Sequence, residues 1–367
     1  MRIGIIDADI IARKNHRFPN LASMKLSAWH KQRKDNVTLL TCYNNIDDYD
    51  LCYISKVFTD TEVPDGILNK ANVTYGGTGF FYDKAAPLPY IVEHIMPDYH
   101  LYDDWCQSML LKGASAKSLQ FYTDYSIGFL TRGCFRQCEF CVNRNYKSCL
   151  PHSPVQEFYD PSRKKICLLD DNFLACKDWK SLIQDVKAIN KPFVFKQGLD
   201  ERLLTRSTIE EMLSWRYIDR FIFAFDNIAD YDLVESKLKL IKSATNKTAK
   251  FYVLCGYDYE NKYDLAFWQQ DIINLFKRIE LLGAYGHYPY IMRHANYEKS
   301  PYRGTYINVA QWCNMMSYFH NISYTEYVQL RDAERKKESS YMKYYKKALE
   351  IPDIEKYIYR KLYVKPS

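Results

Sequence analysis

From Ser126 to Phe319 the chain repeats one pattern six times, a short apolar run followed by a stretch with helical spacing. The runs are Ser126–Leu130, Lys165–Leu169, Pro192–Phe195, Phe221–Phe225, Phe251–Leu254 and Tyr288–Arg293. After the second, Trp179, Leu182, Ile183, Val186 and Ile189 fall at helical intervals. After the third, Ser207 and Glu210 form a capping-box pattern ahead of Ile209, Met212 and Leu213. Leu233, Val234, Leu238 and Ile241 follow the fourth. Leu265, Trp268, Ile272, Leu275, Phe276 and Ile279 follow the fifth, with Gly283 read as the helix stop. Val309–Phe319 is the helix candidate after the sixth. Such a series predicts parallel strands in a partial (β/α)6 TIM-type barrel, with working residues at the C-terminal strand ends. The first helix is not visible between Cys141 and Lys165, where Pro151, Pro154 and Pro161 intervene, so that unit is expected to be short or irregular.

Ahead of the repeat, Met1–Ile6, Val37–Thr41, Leu51–Ser55 and Val73–Tyr75 are strand candidates, and Leu21–Arg33 is a helix candidate. Short strands separated by helical stretches predict a doubly wound parallel sheet over residues 1–112. The fourth strand runs into Gly76-Gly77-Thr78-Gly79, which serves a tight turn first and close backbone approach to a ligand second. Residues 83–125 carry Pro87, Pro89 and Pro97 and read as an extended strap. The expected domains are 1–112, 113–322 and a helical C-terminal extension, 323–367.

Charge and cysteine usage narrow the class. Of the formal net charge of +7, residues 331–367 supply +5, from 11 Lys/Arg against 6 Asp/Glu. That basic tail is a possible nucleic-acid contact, or simply a solvated helix surface. The apolar start is interrupted by Asp7 and Asp9, and no run approaches the ~18 residues of a membrane span, so a cytoplasmic protein without membrane contact is expected. The 11 cysteines are mostly scattered, which fits reduced thiols better than a disulfide framework.

Three cysteines are not scattered. Within Gly128–Arg144, Cys134, Cys138 and Cys141 form a Cys-x-x-x-Cys-x-x-Cys array, with Phe140 before the third. Three thiolates can hold three irons of a 4Fe-4S cluster and leave one iron open to a ligand. A zinc knuckle or an inert thiol trio is the plainer use. On these residues the chain resembles the radical S-adenosylmethionine (SAM) superfamily. The N-terminal part resembles the cobalamin-binding-like domain of one branch, in which a Pro-Asp-Tyr segment such as Pro97-Asp98-Tyr99 leads to the cluster strand. The branch's cobalt-ligating Asp-x-His-x-x-Gly motif is absent, because His16 follows Arg13-Lys14-Asn15; cobalamin is possible but not favoured.

The resemblance implies that Cys134, Cys138 and Cys141 bind the cluster and that SAM chelates the fourth iron. Reductive cleavage of SAM then yields a 5′-deoxyadenosyl radical, which abstracts hydrogen from an unidentified substrate. An electron donor such as flavodoxin or ferredoxin is implied. Asp170, Asp171 and Asn172 would receive the SAM amino group at the second strand end, unless they serve as a helix cap. At the third strand end lie Gln197, Asp200 and Arg202; Arg202 would clamp the SAM carboxylate with Asp200 orienting it, or form a rim ion pair. Asp226 at the fourth would meet the ribose hydroxyls, and Gly256 at the fifth would admit the adenine. Arg293 at the sixth would reach SAM or substrate. Cys167 and Cys255 read as core. The alternatives are a cobalamin-dependent radical SAM methyltransferase and a non-enzymatic metal- and nucleic-acid-binding protein.

Overall fold

The computed structural model describes residues 1–333 and 339–366 and is an α/β protein of parallel sheets and many helices. It divides into two compact units, Met1–Lys196 and Gln197–Ser367. This division falls inside the stretch 113–322 that the repeat marks as one barrel.

In the first unit, β1 (Arg2–Asp7) leads through α1 (Leu21–Gln32) to β2 (Asn36–Leu39), β3 (Leu51–Ser55) and β4 (Val73–Gly76). All pairs are parallel, in the order β2-β1-β3-β4. Period-two alternation splits β1 between two cores. Ile3 and Ile5 pack with Met24 of α1 and with Tyr99, Tyr102 and Cys106, while Ile6 packs with Ile46, Cys52 and Ile54 on the other face. Only short 3-10 turns, Ile46–Asp48 and Ile67–Asn69, stand in the β2–β3 and β3–β4 connections among the described residues. The sheet is therefore wound with helices less evenly than the expected pattern. The glycine cluster is a tight turn: Gly77 has φ +105, and a Cβ there would lie 2.4 Å from the Lys56 carbonyl oxygen.

The expected strap contains a helix, α2 (Asp103–Leu111), and shorter turns on either side. The prolines end at Pro97, and an acidic first turn of Asp103 and Asp104 favours a helix there. β5 (Tyr125–Gly128) follows, then a two-residue antiparallel ladder of β6 (Thr131–Arg132) and β7 (Leu150–Pro151). β8 (Lys165–Leu168), α3 (Trp179–Ala188) and β9 (Phe193–Phe195) complete a parallel sheet β5-β8-β9. Between Cys141 and Lys165 the described residues form β7 and the 3-10 turn Val155–Glu157 but no α-helix, as the prolines there predict.

The second unit holds α4 (Arg206–Leu213), β10 (Ile222–Ala224), α5 (Tyr231–Ala244), β11 (Lys250–Cys255), α6 (Leu265–Ala284), β12 (Tyr288–Arg293) and α7 (Arg303–Asn314). Its sheet is parallel, β10-β11-β12. The six strands of the repeat thus lie in two three-stranded sheets, one in each unit. The cap of α4 is Thr205, whose side chain accepts from the Thr208 amide, not Ser207; Glu210 pairs with Arg206 instead. Gly283 lies within α6, where a Cβ would meet the Leu362 carbonyl oxygen at 2.2 Å, so its role is close packing and not termination.

The C-terminal stretch forms α8 (Tyr324–Ala333), α9 (Ser340–Ala348) and α10 (Glu355–Ile358). Tyr324, Tyr327, Tyr345, Ile351, Ile354, Tyr357, Ile358 and Leu362 are buried. The expected extension is therefore part of the core of this unit, and the tyrosine-rich tail has a packing role. No helix among the described residues is long and apolar enough to cross a membrane.

Candidate functional site

The cysteine loop leaves β5 and is closed at its base by the β6–β7 ladder. Gly133 has φ +95, and a Cβ there would lie 2.4 Å from the Ser148 carbonyl oxygen, so the turn into Cys134 requires glycine. The backbone amides of Arg136 and Asn143 donate to Sγ of Cys134 and Cys141, each at 3.4 Å. Asn172 Nδ2 donates to Cys134 Sγ at 3.3 Å. Two of the three sulfurs thus accept N–H groups of the loop and of the next strand end. Cys134, Cys138 and Cys141 are all unbridged and half-buried.

The next strand end braces this loop. Asp170, just beyond β8, is fully buried. Its Oδ1 accepts the amide and the hydroxyl of Thr131, both at 2.7 Å, and its Oδ2 accepts the Leu130 amide at 3.3 Å. Burial pushes the carboxyl up to about 7. Asp171 accepts the Gly133 amide on Oδ2 and Asn143 Nδ2 on Oδ1, both at 2.8 Å. One carboxylate thus ties the residue before the first cysteine to a residue after the third. Asn172 precedes the 3-10 turn Phe173–Ala175 without a side-chain capping bond. The run expected to receive an amino group, or else to cap a helix, is engaged with the cysteine loop in all three of its residues.

The far side of the loop is held by residues that the sequence did not single out. Tyr82 Oη donates to the Phe140 carbonyl at 2.5 Å. Asp83 pairs with Arg144 at 2.7 Å, and its carbonyl accepts from Asn145 Nδ2 at 3.0 Å. No motif marks Tyr82 or Asp83. Burial pushes the Cys149 and Cys167 thiols up to about 12, so both are inert where the loop cysteines are not buried. Among the described residues no three His, Cys, Asp or Glu side chains converge as around a single ion.

At the first sheet's C-terminal edge, the side chains close the crevice themselves. Tyr102 Oη donates to Asp7 Oδ2 at 2.8 Å, and Asn20 Nδ2 donates to Ser55 Oγ at 2.9 Å. Asp7 and Ser55 face each other at the ends of β1 and β3, the switch point of this strand order. Asp9 accepts the Val57 amide at 2.7 Å and the Thr61 hydroxyl. His16 turns its Nε2 to the Phe18 carbonyl at 2.7 Å.

In the second unit, Arg202 is held by Asp200 at 2.8 Å and Asp230 at 3.1 Å, with Glu201 at 3.8 Å. Burial works against its charge, but the Asp200 bond and the three carboxylates outweigh it and bind the proton more firmly than in free arginine. Glu201, missed in the sequence, is buried and accepts the Ala224 amide at 3.2 Å; burial pushes it up to about 8. Gln197 is exposed. Asp226 Oδ1 accepts the Leu254 amide at 3.0 Å. Gly256 has φ +76 and packs on Tyr297, where a Cβ would meet that residue's Cβ at 2.9 Å. Arg293 stacks its guanidinium over the same Tyr297 ring at 4.6 Å. The expected SAM contacts in this unit thus gather as two groups, Asp200–Arg202 and Gly256–Arg293, with Asp226 at the end of β10.

No protein-family model and no curated protein matches the chain. Among solved structures it is similar to the apo, selenomethionine-labelled cobalamin-dependent S-adenosylmethionine radical enzyme OxsB, at 14% identity and a TM-score of 0.38. The same enzyme with aqua-cobalamin bound gives 13% and 0.35. Each match covers 80% of this chain and 49% of the other, so the chain spans about half the length of OxsB. Likeness at this level assigns neither activity nor cofactor.

Proposed function

We propose that the chain is a radical SAM enzyme that reductively cleaves SAM to abstract hydrogen from a substrate. One observation supports this reading above the others. Three thiols stand on one loop, with N–H donors on two of their sulfurs and with both flanks of the loop fixed by Asp170 and Asp171. Cys134, Cys138 and Cys141 would hold three irons of a 4Fe-4S cluster. The cluster, when bound, supplies the electron that breaks the C5′–S bond of SAM. The chain's own residues fix both flanks of the loop and aim N–H donors at two of its sulfurs, and Tyr82 holds the Phe140 carbonyl beside the third cysteine. Gln197, Arg202, Gly256 and Arg293 are proposed to position SAM from the strand ends. In this reading residues 1–112 keep the shape of a cobalamin-binding-like domain without its corrinoid, 113–322 carry the chemistry, and 323–367 complete the fold. A flavodoxin or ferredoxin would donate the electron, in the cytoplasm.

Anaerobic reconstitution with iron and sulfide, followed by dithionite and SAM, should yield 5′-deoxyadenosine. Cys134→Ala, Cys138→Ala and Cys141→Ala should each abolish it. A fully loaded cluster that forms no product overturns the reading. A methyl transfer through cobalamin is disfavoured by the closed Asp7–Tyr102 and Asn20–Ser55 crevice.

A further inference from the structure

In the second unit a cavity of about 170 Å³ lies where β11 and β12 begin, at the opposite end of their sheet from Gly256 and Arg293. Its wall takes Lys242 from the last turn of α5, Tyr285 from the end of α6 and Lys247 from the loop before β11. His287, just before β12, and Lys365 of the C-terminal segment complete it. That segment is pinned in place: the Val364 amide donates to the Gly283 carbonyl at 2.9 Å. Gly286, with φ +74, lets Pro366 close over it, because a Cβ there would lie 2.4 Å from Pro366 Cγ.

His287 is 3% exposed, and its Nδ1 accepts the Ala249 amide at 3.0 Å. That bond assigns the proton of the neutral ring to Nε2. Burial keeps the ring neutral, pushing its pKa down to about 4. Nε2 is thus a donor, and it is buried with no acceptor among the described residues. A buried N–H without an acceptor carries the full cost of its lost hydration. The charge around it is equally unmatched. No carboxylate stands in the wall, and Lys242, Lys247 and Lys365 form no ion pair among the described residues. Glu235, which meets Tyr285 Oη at 3.5 Å, is engaged by Lys239 at 3.1 Å. The carbonyl ends of α5 and α6 offset about half a charge each, which leaves about +2 of the three lysines.

Solvated surface lysines need no partner, but three of them around one cavity with an orphaned buried donor call for an acceptor of high charge. A carboxylate brings one negative charge; a phosphate brings up to two and oxygens for several donors. The volume suits such a head group and falls below that of a drug-sized ligand site. We propose that this cavity binds a phosphate dianion, free or as the head of a small phosphomonoester, with Lys242, Lys247, Lys365 and the His287 Nε2–H as its donors. The site takes nothing from the cluster chemistry and is testable on the full chain as purified.

Isothermal titration at pH 8 and constant ionic strength compares inorganic phosphate, glycerol 3-phosphate, dimethyl phosphate and acetate. The two dianions are expected to bind saturably and at least tenfold tighter than the two monoanions; the tighter dianion tells the monoester head from the free ion. Lys247→Gln/Lys365→Gln, at two exposed positions, should weaken phosphate at least tenfold. On the unmodified chain, phosphate should protect Lys242, Lys247 and Lys365 from acetylation and leave Lys343 reactive. With 15N-labelled histidine, a buried Nε2–H signal should shift as the site saturates. No saturable binding, equal binding of acetate or dimethyl phosphate, undiminished binding by the double variant, unprotected lysines or an unmoved Nε2–H signal would each overturn the assignment.

Discussion

Asp171 spans the cysteine loop with one side chain, its two oxygens holding Gly133 and Asn143. Asp171→Ala frees both ends, and the loop must then be ordered by the metal alone. Iron retained after anaerobic reconstitution and desalting is expected to fall at least twofold, while the far-UV spectrum stays unchanged. Asp171→Asn, which can still accept from the Gly133 amide, should retain more iron than the alanine variant. A different residue-scale effect follows from Asp7, Asp170 and Glu201, whose carboxyls burial raises to about 7, 7 and 8. Unfolded carboxyls titrate near pH 4, so each group holds its proton more tightly when folded. Their stabilising contribution is whole below about pH 4 and is lost as pH rises through about 7 to 8. Urea denaturation should therefore show lower stability at pH 8.5 than at pH 5. Asp7→Asn should reduce that difference by on the order of 1 kcal/mol.

The Pro97-Asp98-Tyr99 segment works as a latch between elements. Asp98 accepts from Ser27 Oγ at 2.6 Å and pairs with Lys31 at 2.7 Å, both on α1. Tyr99 Oη accepts the Ile127 amide of β5 at 2.7 Å and donates to the Phe158 carbonyl at 2.6 Å. Tyr99→Phe leaves a buried amide and a buried carbonyl without that partner, which costs about 1–3 kcal/mol. Urea unfolding should report a loss of that size, with the m-value unchanged. This latch was legible in part: the segment's place before the cluster strand could be read, but its bonds join residues 28 positions apart. The same limit explains other differences. Strands and the long α6 were readable because apolar period alone fixes them. Thr205 was not, because Ser207 and Glu210 satisfy the same local rule two residues later. The bracing role of Asp170 depends on a carboxylate reaching back to Thr131, which spacing does not encode.

At the scale of the whole molecule, the C-terminal helices decide how the basic tail can be tested. Phe276 of α6 packs against Tyr324 and Tyr357 with ring centroids 5.6 and 6.0 Å apart. Trp312 of α7 meets Tyr324 at 5.7 Å. A Cβ on Gly304 would fall 2.0 Å from the Tyr344 ring, so α7 and α9 meet where only glycine fits. Removing residues 322–367 would strip Tyr324, Tyr345, Tyr357 and Leu362 from this core, each buried aromatic or aliphatic side chain contributing about 1.5–3 kcal/mol. That loss, roughly 6–12 kcal/mol, is as large as the ~5–15 kcal/mol by which a domain is typically stable, so the truncated chain should lose its cooperative melting transition by circular dichroism. Loss of nucleic-acid binding on truncation would then report unfolding and nothing about recognition. Lys343 and Lys361 are exposed, and substituting them leaves the buried tyrosines in place. A Lys343→Glu/Lys361→Glu chain should melt within about 2 °C of the parent, because exposed charges away from the core rarely exceed about 0.5 kcal/mol. If the tail contacts phosphate, the salt dependence of RNA retention should flatten by about one unit of slope for each lysine removed. An unchanged slope assigns the charge to solvent and leaves the tail with packing as its whole role.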